Sequence, residues 1–401
     1  MLRTDSTRRW APARQTMLLT AGIAALTLSA CNGDGDAEGG AEPGDDGELT
    51  PIEVGALPIV DTAPLYVGVE EGIFEDHGLD VTITQAQGGA ALLPAVTGGD
   101  MDFGFSNVTS LVIAHAQGLD IDILISGSAT TGDPDEDFAS VVVSEDSDIE
   151  EIEDLEGASI AVNTLSNISD STISEAVEQA GGNSDAIDFV EMPFPDMPTA
   201  LESGQVDAAA SVEPFQTITR NDGARSVFSN YANPIEDLTV AVWFTAGTYA
   251  EENPEITEAF TEAMGEAQTF ADENHDVVRE TLPTYMDSDE QVLEELTLAH
   301  YPAAVNEDSL QQINDISADS DIIPEPIDIE ELFNEYSLRD WSFARTKKEE
   351  PDPGPSLLCG FSLGLAGPPA SCVLLARNQR VGHRADHSPH LNLLVRLNGG
   401  L

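Results

Sequence analysis

The sequence predicts an α/β protein whose body folds as two lobes, each built on a mainly parallel β-sheet covered by helices. Between residues 51 and 341, short apolar segments alternate with segments of helical periodicity. This alternation is typical of parallel sheets with helices packed on their faces. The elements fall into two sets and end in a helical return, so we expect the chain to cross twice between two lobes. The body is long enough for two domains of ordinary size.

The first set opens with a strand and continues with a helix that Pro64 begins, because proline is favoured at a first helical position. Its elements in chain order are strand 52–56, helix 65–74, strand 81–84, helix 90–97, strand 101–105, helix 108–117 and strand 121–126. The second set comprises strand 139–143, strand 158–162, helix 171–180, strand 187–191, helix 197–203, strand 206–212 and helix 215–219. The chain then returns through strand 238–244 into a long helix from Pro254 and further helices. We therefore predict lobe 1 as 51–137 with 234–343, and lobe 2 as 138–233.

Residues 1–31 have the order of a lipoprotein signal peptide. The four basic residues of its first region are Arg3, Arg8, Arg9 and Arg14. The apolar run 17–28 that follows is too short for a stable membrane span. It ends in Leu28-Ser29-Ala30-Cys31, which resembles a bacterial lipobox, so we expect a lipid on Cys31 and an anchor on the outer face of the cytoplasmic membrane. An ordinary signal peptide with an incidental cysteine is the alternative, and export by the general or the twin-arginine route stays open.

Two segments beside the body do not have the composition of folded domains. Residues 32–50 are nearly all Gly, Asp, Glu and Ala, which predicts a flexible acidic linker. In residues 344–401 basic residues return and acids nearly vanish, without periodic order. We expect this tail to be disordered or the product of a frameshift.

The charge of the chain is strongly negative, with 15 Lys and Arg against 74 Asp and Glu and a net charge of −59. Between Cys31 and Phe343 the chain has four arginines and no lysine. We interpret this as an acidic surface adapted to a saline habitat, where salt screens the repulsion. The charge excludes nucleic acid as a partner.

No cofactor or metal is expected. The acidic segment 133–137 lacks the central glycine of an EF-hand loop and has Ser144 where the bidentate glutamate belongs. The histidines of the body are scattered without ligand spacing.

Eight short motifs then occur in a fixed order along the body. They lie at 63–68 (Ala-Pro-Leu-Tyr-Val-Gly), 71–75 (Glu-Gly-Ile-Phe-Glu), 78–81 (Gly-Leu-Asp-Val), 99–104 (Gly-Asp-Met-Asp-Phe-Gly), 152–157 (Ile-Glu-Asp-Leu-Glu-Gly), 203–208 (Ser-Gly-Gln-Val-Asp-Ala), 213–214 (Glu-Pro) and 253–255 (Asn-Pro-Glu). Together they resemble the solute-binding proteins of ABC importers in the nitrate/sulfonate/taurine (SsuA/THI5-like) family, which includes binders of thiamine-pyrimidine precursors. Ala158 replaces the usual lysine and Val212 the usual tryptophan.

The resemblance implies a type II periplasmic-binding-protein fold, with a ligand cleft between two lobes that close around the solute. It further implies a protein without catalytic activity that works as a monomer. Its partners would be a small-molecule solute and an ABC permease in the membrane.

In parallel α/β sheets, ligands bind at the carboxyl ends of strands, near helix N-termini. That rule selects residues after four strands and one aromatic residue on the returning strand. The candidate ligand-binding residues are Asp61, Thr62, Ala63, Ser106, Asn107, Thr109, Asn163, Thr164, Asn167, Ser169, Glu213 and Trp243.

Each candidate also has a structural interpretation. Ser106, Asn107 and Ser169 are residue types that commonly cap helices. Asp61 is also compatible with a turn, and Trp243 with a place in the core. Glu213 follows an apolar strand and precedes a proline, so it is predicted to face the cleft and to hold an amino group of the solute.

The solute is expected to be a small sulfonate or taurine-like molecule, or an aminopyrimidine. Nitrate is disfavoured because no basic residue of the body lies at a predicted cleft position. An enzyme of the thiamine-pyrimidine type would need a lysine for a Schiff base with pyridoxal phosphate, and the body has none. A lipoprotein without a transport role is the remaining alternative.

Overall fold

The computed structural model describes residues 49–339, which form two five-stranded sheets. The strands are β1 (Thr50–Ala56), β2 (Leu79–Gln85), β3 (Phe103–Asn107), β4 (Ile121–Ala129), β5 (Ala139–Ser144), β6 (Ser159–Val162), β7 (Asp188–Glu191), β8 (Ala208–Val212), β9 (Ala224–Phe228) and β10 (Thr239–Ala246). The helices are α1 (Ala63–Glu70), α2 (Ile73–Asp76), α3 (Gly89–Thr97), α4 (Val108–Ala116), α5 (Ile168–Ala180), α6 (Met197–Glu202), α7 (Phe215–Asn221), α8 (Gly247–Glu252), α9 (Pro254–Glu273), α10 (His275–Thr281), α11 (Glu290–Glu295) and α12 (Glu307–Asp319). The predicted signal segment, residues 32–48 of the linker and the tail 344–401 lie outside the described residues.

The two sheets have equivalent topologies. The first has the order β2-β1-β3-β10-β4 and the second β7-β6-β8-β5-β9. In the first sheet β10 is antiparallel to both neighbours, and in the second β5 is. Each antiparallel strand is the first strand after the chain crosses from the other sheet. In both sheets this strand is the fourth in the spatial order.

Burial explains why these segments are strands. All eight residues of β10 are buried, and β4 and β8 are almost completely buried as well. Such strands appear in the sequence as continuous apolar runs, because both faces of the sheet are covered by helices. On one face of the first sheet, Phe103 stacks on Phe260 of α9 with ring centroids 3.8 Å apart.

Two elements differ from the sequence prediction. The predicted helix 65–74 is two helices, because the chain adopts a left-handed conformation at Gly72 (φ 76°) between α1 and α2. Strand β9 was not predicted, since its five residues are mostly half-buried and lack a clear apolar run.

A buried carboxylate connects the two segments in which the chain passes between the sheets. Asp137 accepts hydrogen bonds from the Thr130 hydroxyl (2.7 Å) and the Ser229 hydroxyl (2.6 Å). It also accepts from the backbone N–H groups of Thr131 and Phe138, both at 3.0 Å. These crossings support our proposal that the lobes divide near residues 137 and 233. Within 49–339, no helix is both long and apolar enough to cross a membrane.

Candidate ligand-binding site

The carboxyl ends of strands from the two sheets face each other and are in contact. The Asn167 side-chain amide, after β6, donates a hydrogen bond to the Ser110 hydroxyl, after β3 (2.9 Å). The Val60 N–H, after β1, donates to the carbonyl oxygen of Glu213, after β8 (3.3 Å). The predicted strand-end positions therefore converge on one region between the sheets.

The loop after β2 joins this region. A side chain at Gly88 would lie 3.8 Å from both the Asn163 amide nitrogen and the Thr164 hydroxyl of the opposite lobe. A side chain at Gly89 would lie 2.7 Å from the Ser106 hydroxyl. Gly89 thus lets the backbone approach Ser106 closely, whereas a side chain at Gly88 would make only ordinary contacts with the opposite lobe.

Asp61 is the most unusual of the predicted residues. Its side chain is 3% exposed, and its Oδ1 accepts a hydrogen bond from the Ser128 hydroxyl at 2.9 Å. Its Oδ2 has no hydrogen-bond partner within the described part of the chain. Burial raises the pKa of Asp61 to about 7, against the opposing effect of the Ser128 hydrogen bond. A buried carboxylate with a free oxygen is costly without a partner, so it is a strong candidate for ligand contact.

Other buried polar atoms at the strand ends share this property. Buried polar groups are almost always hydrogen-bonded, so each exception calls for a reason. Ten side-chain atoms of the described residues are buried without a partner, and beside Asp61 they include the Ser106 and Thr109 hydroxyls and the Asn230 side-chain oxygen. Two of these three were predicted as ligand-binding residues. The other six are on His115, Ser126, Ser211, Gln216, Trp243 and Gln268. Ser106, Thr109 and Asn230 lie at or just after the carboxyl ends of their strands, where a small ligand could supply the missing partners.

Two helix N-termini point into the region, and both are capped. The Asn107 side chain accepts from the Ser110 N–H (2.9 Å) at the start of α4, and Asn167 caps α5. At α5, the carboxylate of Asp170 also accepts from the backbone N–H groups of Ser166 and Asn167. Burial raises the pKa of Asp170 to about 6, although these backbone hydrogen bonds oppose the rise. Because Asp170 already occupies donors of α5, α4 is the better placed of the two for an anionic group.

Glu213, which was predicted to face the cleft, is completely buried, and its carboxylate is hydrogen-bonded within the protein. Its carboxylate accepts from the Thr217 hydroxyl (2.8 Å), the Thr217 N–H (3.0 Å), the Gln216 amide (3.2 Å) and the Thr297 N–H (3.3 Å). Burial raises its pKa, and these hydrogen bonds counteract the rise. The carboxylate therefore satisfies donors in the first turn of α7 and connects this helix to the segment after α11.

Two further predicted positions have structural roles. Trp243 is completely buried and packs edge-on against Phe105 and Phe260, with centroids 5.1 Å and 6.3 Å away. It is therefore a core residue of the first sheet rather than a wall that stacks on a ligand. The Thr62 hydroxyl donates to the carbonyl oxygen of Leu57 (2.6 Å) and so fixes the turn before α1, where Ala63 is the first residue.

Three residues of the region were missed by sequence reasoning. Ser128 lies at the end of β4, which continues three residues past the predicted strand. Tyr231 and Asn230 lie just after β9, the strand that was not predicted. The Tyr231 hydroxyl interacts with Ser169, and burial together with the negative charge of Asp61 raises its pKa. The strand-end rule would have found all three if these two strands had been placed correctly.

A wide groove on the outer face of α9, about 560 Å³, is a poorer candidate. Its walls include Glu262, Glu266, Phe270 and Leu338. It lies on the solvent side of a helix, away from the strand ends, and its rim is acidic. In residues 49–339 no group of three His, Cys, Asp or Glu side chains is arranged to hold a metal ion.

Comparison with known proteins assigns the chain to a family. The family model described as NMT1/THI5 like matches residues 59–276, more than half of the chain. The chain belongs to the NMT1/THI5-like family. The matched region begins just after β1 and contains the other nine strands of the two sheets.

Individual relatives of this family agree with the fold. A taurine-binding periplasmic protein of Escherichia coli (strain K12) is 26% identical over 215 residues, which is 53% of this chain and 65% of that protein. A ligand-binding component of an ABC-type import system from Staphylococcus aureus superposes with a TM-score of 0.62 at 13% identity, covering 71% of this chain and 97% of that one. The periplasmic aliphatic sulphonate-binding protein SsuA of Escherichia coli gives 0.58 at 20% identity, with the same coverage. These similarities confirm the predicted periplasmic-binding-protein fold of two α/β lobes.

Proposed function

We propose that this protein is the extracytoplasmic solute-binding lipoprotein of an ABC importer. It captures a small sulfonate or taurine-like solute, or an aminopyrimidine, by closure of the two lobes, and delivers it to a membrane permease. The observation that carries the proposal is the set of buried, unpartnered polar atoms on Asp61, Ser106, Thr109 and Asn230. They lie where the strand ends of the two lobes meet, in a fold whose similar proteins are named for binding taurine, sulphonates and import ligands.

The contacts between the lobes suit capture by closure. The Asn167–Ser110 and Val60–Glu213 hydrogen bonds connect the lobes directly. The Thr297 N–H to Glu213 carboxylate and Asn221 to Glu295 hydrogen bonds also join the lobes. A bound solute that adds contacts to both sides favours the closed arrangement over an open one. Asp137 holds the two crossing segments together at one point, as a hinge requires.

The anchor and the location remain part of this proposal. Lipidation of Cys31 and the acidic linker 32–50 would place a monomeric binding protein near its permease. An enzyme of the thiamine-pyrimidine type is not favoured by the residues of the region, because 49–339 contains no lysine for a Schiff base.

Isothermal titration calorimetry of the protein with taurine, alkanesulfonates, nitrate and aminopyrimidines tests the proposal, and Thr109→Val is the informative variant. The Thr109 hydroxyl is buried without a partner, so its loss does not lower stability, but it removes a ligand contact. We expect affinity to fall about 3- to 10-fold, the value of one hydrogen bond.

Thr261→Val is the matched control, because the Thr261 hydroxyl donates within α9 to the Thr257 carbonyl (2.8 Å). This variant loses stability and retains affinity. If none of these solutes gives a heat of binding with a folded sample, the proposed function is contradicted.

A further inference from the structure

Asp61 has no positively charged partner among residues 49–339. Of the four arginines of the body, Arg225 donates to the carbonyls of Ser147 and Ile149, and Arg279 to those of Leu293 and Leu296. A third, Arg339, pairs with Glu307 and Glu330.

The remaining bases do not supply a partner either. Arg220 is exposed at the end of α7. The histidines that form ion pairs within 49–339 pair with other acids: His77 with Glu262 and Glu266, His115 with Glu331 and His300 with Asp272. No basic side chain of the described residues therefore contacts the free Oδ2 of Asp61.

The other groups near Asp61 do not stabilise its negative charge, so a bound cation would be favoured there. The charge of Asp137, also buried, acts on Asp61 with the same sign. Tyr285 and Tyr301 lie within electrostatic range, but their hydroxyls donate elsewhere, to the carbonyl oxygens of Ile59 (3.3 Å) and Val60 (2.9 Å). The neighbourhood is thus acidic and aromatic, and both features favour an organic cation.

We infer that Asp61 recognises a protonated amine, so that the solute of this cleft is a cationic or zwitterionic amine and not a bare anion. The inference rests on the proposed function and narrows it. A ligand ammonium group donates to Oδ2 of Asp61 and pairs with its charge. An acidic group on the same solute, where one exists, is held by the Ser106 and Thr109 hydroxyls at the start of α4.

A metal ion does not fit these residues as well. Asp61 offers one free oxygen, and the described residues supply no group of three metal ligands. A bare anion such as nitrate fits worse, because it would enter beside two buried carboxylates with no basic side chain to balance it.

The test compares taurine with isethionate, which replaces the ammonium group of taurine by a hydroxyl and keeps the sulfonate. Calorimetric titration of the protein is expected to give at least about 10-fold tighter binding of taurine, the value of a charge-assisted hydrogen bond. Asp61→Asn reduces taurine affinity by about 10- to 100-fold and brings the ratio of the two affinities close to one. Glu213→Gln is the control acid and leaves the ratio unchanged. Equal affinities in the original protein, or an unchanged ratio in Asp61→Asn, overturn the inference and leave the proposed function standing.

A second measurement needs no solute. Without a cationic partner in the protein, Asp61→Asn raises the thermal midpoint of the ligand-free protein at pH 8, whereas a hidden partner makes the same change lower it. If taurine, isethionate and an aminopyrimidine all fail to bind, the proposed function fails. The thermal midpoint still decides whether Asp61 lacks a cationic partner in the ligand-free protein. A lowered midpoint overturns the inference.

Discussion

The substitution Asp61→Asn should stabilise the ligand-free protein, and more so at alkaline than at acidic pH. A raised pKa in the folded state means that folding favours the protonated carboxyl. The stability that this group contributes is complete below its unfolded pKa and is lost as the pH rises toward about 7. Asparagine has no such dependence, and its side-chain oxygen can still accept the hydrogen bond from Ser128.

The magnitude follows from the shift. The pKa of Asp61 rises from 3.8 to about 7 on folding. At roughly 1.4 kcal/mol per pKa unit, the ionised carboxyl lowers the free energy of unfolding by about 4 kcal/mol at pH 8. At pH 5 the folded protein keeps the proton of Asp61, so the free energy of unfolding is lowered by only about 2 kcal/mol. The advantage of asparagine should therefore be about 2 to 3 kcal/mol greater at pH 8 than at pH 5, equivalent to roughly 5 °C or more in midpoint.

Thermal unfolding followed by circular dichroism, in molar salt at both pH values, measures this difference. The pH dependence of the other carboxylates is common to both proteins and cancels. Asp80→Asn, the same chemical change at an exposed position of β2, is the control and should show no comparable difference. An equal gain at both pH values, or a loss of stability at pH 8, would refute the assignment of Asp61 as an unpaired buried acid.

Three other predictions concern the hinge, the glycine loop and the surface charge. Asp137→Asn removes acceptors from donors in both crossing segments and should cost about 2 to 4 kcal/mol, measured by urea unfolding; a change below the experimental error would mean that Asp137 does not hold the crossings together. In Gly89→Ala the new Cβ would lie 2.7 Å from the Ser106 hydroxyl and 2.8 Å from the Ser106 Cα, so this variant should lose about 1 to 3 kcal/mol of stability. Gly88→Ala makes contacts only at 3.8 Å, with the opposite lobe, and should keep its stability. Equal effects at the two positions would contradict the close approach at Gly89. Raising the salt from about 0.1 M to about 1 M shortens the screening length from roughly 10 Å to 3 Å and should raise the midpoint by several degrees, with sucrose as an uncharged control; a salt-independent midpoint would argue against a surface adapted to a saline habitat.

Much of the fold could be predicted from the sequence, because continuous apolar runs such as those of β4, β5 and β8 indicate strands covered on both sides. The boundaries were harder. Strand β4 runs past Ser126 through Gly127 and Ser128, residues that do not favour strands. Its pairing with β10 and the hydrogen bonds from the Gln268 amide to the Ser126 and Gly127 carbonyls keep it extended. Ser128, the partner of Asp61, was missed for this reason.

The ligand-binding residues remain a prediction, and the structure shows only where their side chains lie. The strand-end rule selected Asp61, Ser106 and Thr109, each of which has one buried side-chain oxygen without a partner. It also selected Glu213, but the donors on Gln216 and Thr217, three and four residues later, satisfy that carboxylate from within α7. The side of the sheet on which Trp243 lies could not be predicted, because all eight residues of β10 are buried and no alternation distinguishes the two faces.

A crystal structure of the protein grown with taurine tests the central claim most directly. The account predicts taurine between the facing strand ends, with its ammonium group within hydrogen-bond distance of Asp61 Oδ2 and its sulfonate near the Ser106 and Thr109 hydroxyls. Taurine bound in the groove outside α9, or in the cleft with its ammonium group turned away from Asp61, would contradict it.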